Sequence, residues 1–126
     1  GDEASMRDLC LRKTGALLGA AAELGCIAAG ADRAVRERAL AYAAHIGLAF
    51  QVRDDMLDVI ADQGELGKSV GADRETGKTT FADLLGLEGC AKLVAEETAL
   101  AREAIAQFPE NAFLLALADA LAARRS

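Results

Sequence analysis

With 126 residues, 52% of them hydrophobic, a single proline and only 4% aromatic content, the chain has the length of one domain and the alanine- and leucine-rich composition of a helical one. Fourteen basic residues against twenty acidic ones leave a net charge of −6, which argues against a nucleic-acid-binding or anionic-membrane-binding surface. No apolar run reaches membrane-spanning length, no basic-then-apolar leader opens the sequence, and Cys10, Cys26 and Cys90 lack metal-ligand spacing, so a cytoplasmic chain with reduced, mostly buried thiols and no membrane span is expected.

The helical period predicts a first helix over about 4–29. Lys13, Leu17, Ala20, Ala21 and Leu24 form one stripe, and Ala16, Gly19 and Gly25 form a second that suits close packing. Lys13, Thr14 and Gly15 fall inside it, and a lysine beside a threonine is by default simply solvated. Gly30 and Asp32 separate this helix from the next.

The second helix, over about 34–61, contains Phe50-Gln51-Val52-Arg53-Asp54-Asp55-Met56-Leu57-Asp58. At about 100° per residue, Gln51, Asp54, Asp55 and Asp58 share a sector of roughly 100°, so one amide and three carboxylates project together. Carboxylates four residues apart repel, and Arg53 points to the opposite side, so neutralisation from outside the helix is expected. Hard divalent cations take oxygen ligands, and magnesium in particular is held by one or two carboxylates together with substrate phosphates. The competing reading is a solvated acidic patch on a surface helix. Against it, the run from Ile46 to Ile60 is apolar nearly all the way round, as in a buried helix, and Ala44 and Gly47 continue the acidic stripe as small residues that leave room for a ligand. His45, the lone histidine, lies away from the sector and is expected to be packed or half-exposed rather than a metal ligand.

Residues 62–79 change character, with Gly64, Gly67, Gly71 and Gly77 interleaved with Lys68 and Lys78. A loop of this length suggests function: its glycines let backbone amides approach an anion, and its lysines supply point charges to phosphate. The plainer alternative is a solvated linker. Beyond it, Thr80 begins a short helical turn over 81–85 that Gly86 breaks, a longer helix runs over about 88–107, and Pro109 stops it. Asn111 is placed to cap a last helix over 112–123, where Arg124 and Arg125 suit the C-terminal dipole. The expectation is an all-α chain, an antiparallel helical bundle forming one segment over 1–126.

Taken together, several stretches resemble the C-terminal part of the trans-polyprenyl diphosphate synthases, near the bacterial farnesyl and geranylgeranyl diphosphate synthases. They are Lys13-Thr14-Gly15-Ala16-Leu17-Leu18, the run from Gly47 to Asp58, Leu66-Gly67-Lys68, Gly71-Ala72-Asp73 and Gly77-Lys78-Thr79. The Asp-Asp-x-x-Asp motif alone is weak; its company makes the resemblance specific, and it covers essentially the whole chain. It implies half of an isoprenoid synthase fold. It also implies a Mg2+-dependent prenyltransferase that condenses an allylic prenyl diphosphate with isopentenyl diphosphate to give a longer trans-prenyl diphosphate. By the same resemblance Asp54 and Asp58 hold Mg2+ with support from Asp55, Lys13, Lys68 and Lys78 contact the allylic diphosphate, and Thr14 and Gln51 line the reacting end. A homodimer is implied too.

The family also has a first aspartate-rich motif on an earlier helix, and no second Asp-Asp pair occurs in this sequence. Helices apolar on every side likewise need more covering than this chain supplies. A missing N-terminal segment of the same enzyme is therefore expected as a partner. The alternative is a truncated or non-catalytic subunit that binds metal and diphosphate and pairs with another chain. A di-iron carboxylate bundle is rejected because it needs paired Glu-x-x-His motifs. A terpene cyclase is disfavoured by the Gly-Lys, Gly-Ala-Asp and Lys-Thr elements.

Overall fold

Alanine and leucine, both strong helix formers, fill every long stretch between the glycine and proline breaks, and the computed structural model is all-α accordingly. It describes residues 2–64, 79–109 and 111–125; the expectations for Lys68, Lys78 and the glycines between them fall outside these residues. The elements are α1 (Glu3–Cys10), a π-helical turn (Leu11–Gly15), α2 (Ala16–Ala28), α3 (Arg33–Gly64), α4 (Phe81–Ala104) and α5 (Ala112–Ala123), and no strand occurs among the described residues. Together they make an antiparallel bundle in which α3 is central, packing against α1, α2, α4 and α5.

Side-chain caps start two of these helices, the one at Asp32 where the sequence leads one to expect a helix start. Asp2 Oδ1 accepts from Ser5 N at 2.7 Å before α1, and Asp32 Oδ1 accepts from Val35 N at 2.9 Å before α3. α3 then buries two successive patches along one stripe. Tyr42 and Ile46 pack with Ala101, Ile105 and Ala118, while Ala49, Val52 and Met56 pack with Phe81, Cys90, Leu93 and Val94. Val52, Phe81, Cys90 and Ile105 are fully buried, each of the larger side chains contributing about 1.5–3 kcal/mol relative to exposure. Tyr42 Oη donates to the Leu114 carbonyl at 2.7 Å and ties α5 to the same stripe. Cys10 and Cys90 are buried free thiols and Cys26 is half-buried. No described helix is long and apolar enough to cross a membrane.

The structure corrects the sequence reading at four points. The first helix is not continuous α: it widens into the π turn that carries Lys13 and Thr14, and buried Cys10 and Gly15 stand five residues apart rather than four. α3 runs on to Gly64 and is not buried all round: Ile60 near its end is 46% exposed, and Asp54 and Arg53 in its middle are only half-buried. Asn111 makes no capping bond to α5; its Nδ2 donates backwards to the carbonyls of Ile105 and Ala106, at 2.9 and 3.2 Å, and so closes the end of α4. Arg124 leaves the axis of α5 and crosses to α3.

Candidate active site

The acidic sector of α3 holds together as the helical period implies. One oxygen from each of Asp54, Asp55 and Asp58 lies within 4.8 Å of the others, with Asp55 buried, Asp54 half-buried and Asp58 exposed. Oxygen-only donors at this spacing suit a hard divalent cation.

Asp55 is fixed by the start of α4. Thr80 and Asp83 form a reciprocal capping box, with Asp83 N donating to Thr80 Oγ1 at 3.1 Å and Thr80 N donating to Asp83 Oδ2 at 2.9 Å. Phe81 N, one of the orphan donors of the first turn, is thus left to donate to Asp55 Oδ2, at 2.8 Å. A carboxylate from α3 is thereby seated on the positive end of α4, where the helix dipole favours it. Gln51 Nε2 donates to the other oxygen, Asp55 Oδ1, at 3.0 Å. Burial raises the carboxyl above its ordinary value, the bonds from Phe81 and Gln51 oppose that rise, and Asp54 and Asp83 add to it.

The first turn of α4 is oriented separately from the helix body. Gly86 has φ 70° and ψ 171°, a region essentially reserved for glycine, and it breaks the axis between Leu85 and Leu87. On the opposite side α2 comes close to α3 at Gly47: a Cβ there would meet Leu18 Cδ1 at 3.2 Å and Gly15 Cα at 3.7 Å. The close approach brings the π turn, with Lys13 and Thr14, beside Gln51 across a cavity of about 450 Å³. Lys13, Thr14, Gln51 and Asp55, with the hydroxyl residues Ser5, Thr79 and Thr80, supply its polar lining, and Met6, Leu9 and Phe81 its apolar one. Cys10 also lines it, with its thiol raised by burial and then by Asp55, and donates to the Gly47 carbonyl at 3.8 Å.

Lys13, Thr14, Gln51 and Asp55 are therefore brought to one cavity, and Asp54 and Asp58 to the carboxylate cluster that shares Asp55. Lys68 and Lys78 lie outside the described residues. Two contributors escaped the sequence reading. The Thr80-x-x-Asp83 spacing does carry the signature of a capping box and pointed to the Phe81 amide. Arg124 carried no such signal: its Nη2 donates to Asp54 Oδ1 at 3.1 Å, supplying from across the bundle the neutralisation that Arg53 cannot give. His45 is half-exposed and packed as expected, with Nδ1 2.5 Å from Glu97 Oε2, and Arg7 Nη1 approaches the other oxygen of that buried carboxylate at 3.5 Å.

An antiparallel all-α bundle with an aspartate-rich helix face beside a lysine-rimmed cavity defines the class, and the comparisons with known proteins specify it. The chain belongs to the polyprenyl synthetase family, whose model matches residues 2–114. It is 45% identical over 112 residues to farnesyl diphosphate synthase of Escherichia coli (strain K12), an alignment that takes in 87% of this chain and 37% of that protein. It is 43% identical over 120 residues to geranylgeranyl diphosphate synthase of Cyanophora paradoxa, taking in 92% of this chain and 39% of that one. Among solved structures, an FPP/GFPP synthase from Zymomonas mobilis superposes with a TM-score of 0.77 at 33% identity, covering 96% of this chain and 39% of that chain. The chain thus spans about two-fifths of the length of these relatives.

Proposed function

We propose that the polypeptide carrying this chain is a Mg2+-dependent prenyltransferase that joins an allylic prenyl diphosphate to isopentenyl diphosphate, giving a longer trans-prenyl diphosphate. The observation that carries this reading is the convergence of Lys13, Thr14 and Gln51 on the same cavity as Asp55, itself a member of the Asp54–Asp55–Asp58 cluster. The names of the relatives, which are prenyl diphosphate synthases, support it.

Asp54 and Asp58 would hold Mg2+, with Asp55 beside them. The fit is favourable, since all three offer oxygen and each Asp55 oxygen, having accepted one hydrogen bond, keeps a second lone pair. When bound, the cation neutralises charge that builds on the departing diphosphate as the allylic C–O bond breaks. Lys13, exposed at the cavity rim, adds a point charge to the same phosphates; Lys68 and Lys78 share that task. Gln51 turns its Nε2 to Asp55, which leaves its carbonyl end for the cavity, where its dipole and the Thr14 hydroxyl stabilise positive charge on the allyl carbons. Met6, Leu9 and Phe81 give the cavity an apolar wall that keeps water from the cation. Exposed Leu9, Leu11 and Ile27 support a covering of α1, the π turn and α2 by a further segment of the same polypeptide.

The test is incorporation of labelled isopentenyl diphosphate into longer products by the full polypeptide, with and without Mg2+. Asp54→Ala is expected to lower turnover by about 10²–10³-fold, the scale seen when a preorganised electrostatic group is removed. Near-normal turnover in that variant would overturn the reading.

A further inference from the structure

Arg124 follows α5 with φ −59° and ψ 150°, which turns its side chain out of the helix and across α3. Contacts with α3 hold the guanidinium there. Nη2 donates to Asp54 Oδ1 at 3.1 Å and to the Phe50 carbonyl at 3.3 Å, and the guanidinium carbon stands 4.2 Å from the centroid of the Phe50 ring. The backbone of the same residue is held in turn, since Arg53 Nε donates to the Arg124 carbonyl at 3.0 Å. Phe50, Arg53 and Asp54, at i, i+3 and i+4 on one face of α3, thus grip both ends of a residue seventy positions beyond Asp54. The side chain is only 18% exposed.

We propose that Arg124 is a positioning residue for the metal-binding carboxylate of Asp54. It holds Oδ1 so that the carboxylate keeps one orientation and its second oxygen serves as the ligand. The inference rests on the reading that Asp54 is a ligand. The alternative is a counter-ion that leaves when a cation arrives. The ring stack and the bond to the Phe50 carbonyl decide against it, because neither depends on the charge of Asp54 and both keep the guanidinium in place when a divalent ion neutralises the cluster. A guanidinium suits this double duty because its carbon lies over the Phe50 ring while Nη2, beside that carbon, reaches both oxygens; an ammonium is a compact point charge that combines the two contacts poorly.

The experiment compares wild type, Arg124→Gln, Arg124→Lys and Asp54→Asn in the full polypeptide. Mn2+ binding is read from the free-ion electron paramagnetic resonance signal, the Mg2+ dependence of prenyl transfer is read at saturating substrates, and the thermal midpoint of each variant is recorded. Both Arg124 variants are expected to weaken Mn2+ binding and raise the half-maximal Mg2+ concentration by about 10–100-fold, the usual cost of losing a group that orients a ligand. kcat at saturating Mg2+ should fall much less. A staple that only stabilises the fold would move the thermal midpoint and leave the metal affinity alone. Arg124→Lys keeps the charge and most of the stem, so wild-type Mn2+ affinity in that variant overturns the proposal even if Arg124→Gln fails to fold. Asp54→Asn separates the two levels: unchanged Mn2+ binding there sinks the function reading itself, whereas lost binding in Asp54→Asn with unchanged binding in the Arg124 variants sinks only the positioning role.

Discussion

Among the described residues two carboxylates are buried, Asp55 on α3 and Glu97 on α4, and they are satisfied in opposite ways. Glu97, 5% exposed, meets cationic or ionisable partners: Arg7 Nη1 at 3.5 Å and His45 Nδ1 at 2.5 Å, with Arg7 braced by Glu3 at 3.0 Å. Asp55, 7% exposed, accepts instead from neutral dipoles, the Phe81 amide and the Gln51 side chain. Partners on both of its oxygens close Glu97 to a further ligand. Dipoles hold the carboxylate in place yet leave its charge to be felt, which is what a cation-binding face requires. The nearby thiols register that residual charge, for Asp55 is the second cause, after burial, of the raised values of both Cys10 and Cys90.

The largest expected effect tests the closed site. Glu97→Ala would strand the Arg7 and His45 partners, and since both are partly exposed the loss should fall at or below the low end of the range for a broken buried pair, about 2–3 kcal/mol by urea denaturation. Gly86→Ala should follow, at about 1–3 kcal/mol, because alanine is strained at that backbone conformation. This variant probes the hinge that lets the Asp55-holding turn take its own direction from the body of α4 that carries Glu97. Asp55→Asn keeps the shape of the side chain but presents an NH2 to one of two donors, for about 1–2 kcal/mol. A loss equal to that of Glu97→Ala would erase the contrast between the two sites.

The smallest effect is a pH dependence. The fully buried Cys90 thiol is pushed up to about 11 from an ordinary value near 9. Below pH 9 neither state ionises and the thiol is neutral to stability. Above it the unfolded chain loses the proton while the folded chain keeps it, so stability falls as pH rises towards 11, by about 1 kcal/mol at pH 10. Denaturant midpoints measured from pH 8 to 10.5 should show a shallower decline in Cys90→Ala. Asp55→Asn should flatten the decline in part, since one of the two causes of the shift is then gone.

Much of the scaffold was legible because it is written in local patterns. Asp32 and the apolar period placed the start of α3 within a residue, and Gly86 and Pro109 marked the breaks in and after α4. The acidic sector of α3 was legible for the same reason, since helical period alone puts Asp54, Asp55 and Asp58 together. What stayed hidden depends on geometry without a local signature. A π turn has no residue preference strong enough to announce it at Lys13 and Thr14, and Asn111 serves the helix before it rather than the one after it. The link from Arg124 to Asp54 spans seventy residues, and no periodicity reaches that far. That Lys13 and Thr14 belong with Gln51 came from resemblance to a family and not from spacing; the approach at Gly47 supplies the physical reason.

The π turn also bears on how this chain can change in length. Inward positions step by four from Met6 to Cys10, by five to Gly15 and by four again to Gly19, so the turn behaves as a single additional residue set into an otherwise regular helix. A one-codon deletion between Leu11 and Gly15 would restore regular winding and rotate α1 by about 100° relative to α2, carrying Met6 and Cys10 off their neighbours. A surface loop absorbs a lost residue with little effect; in this helix the same event would empty one side of the cavity, so the tolerated indels of this region are confined to its ends.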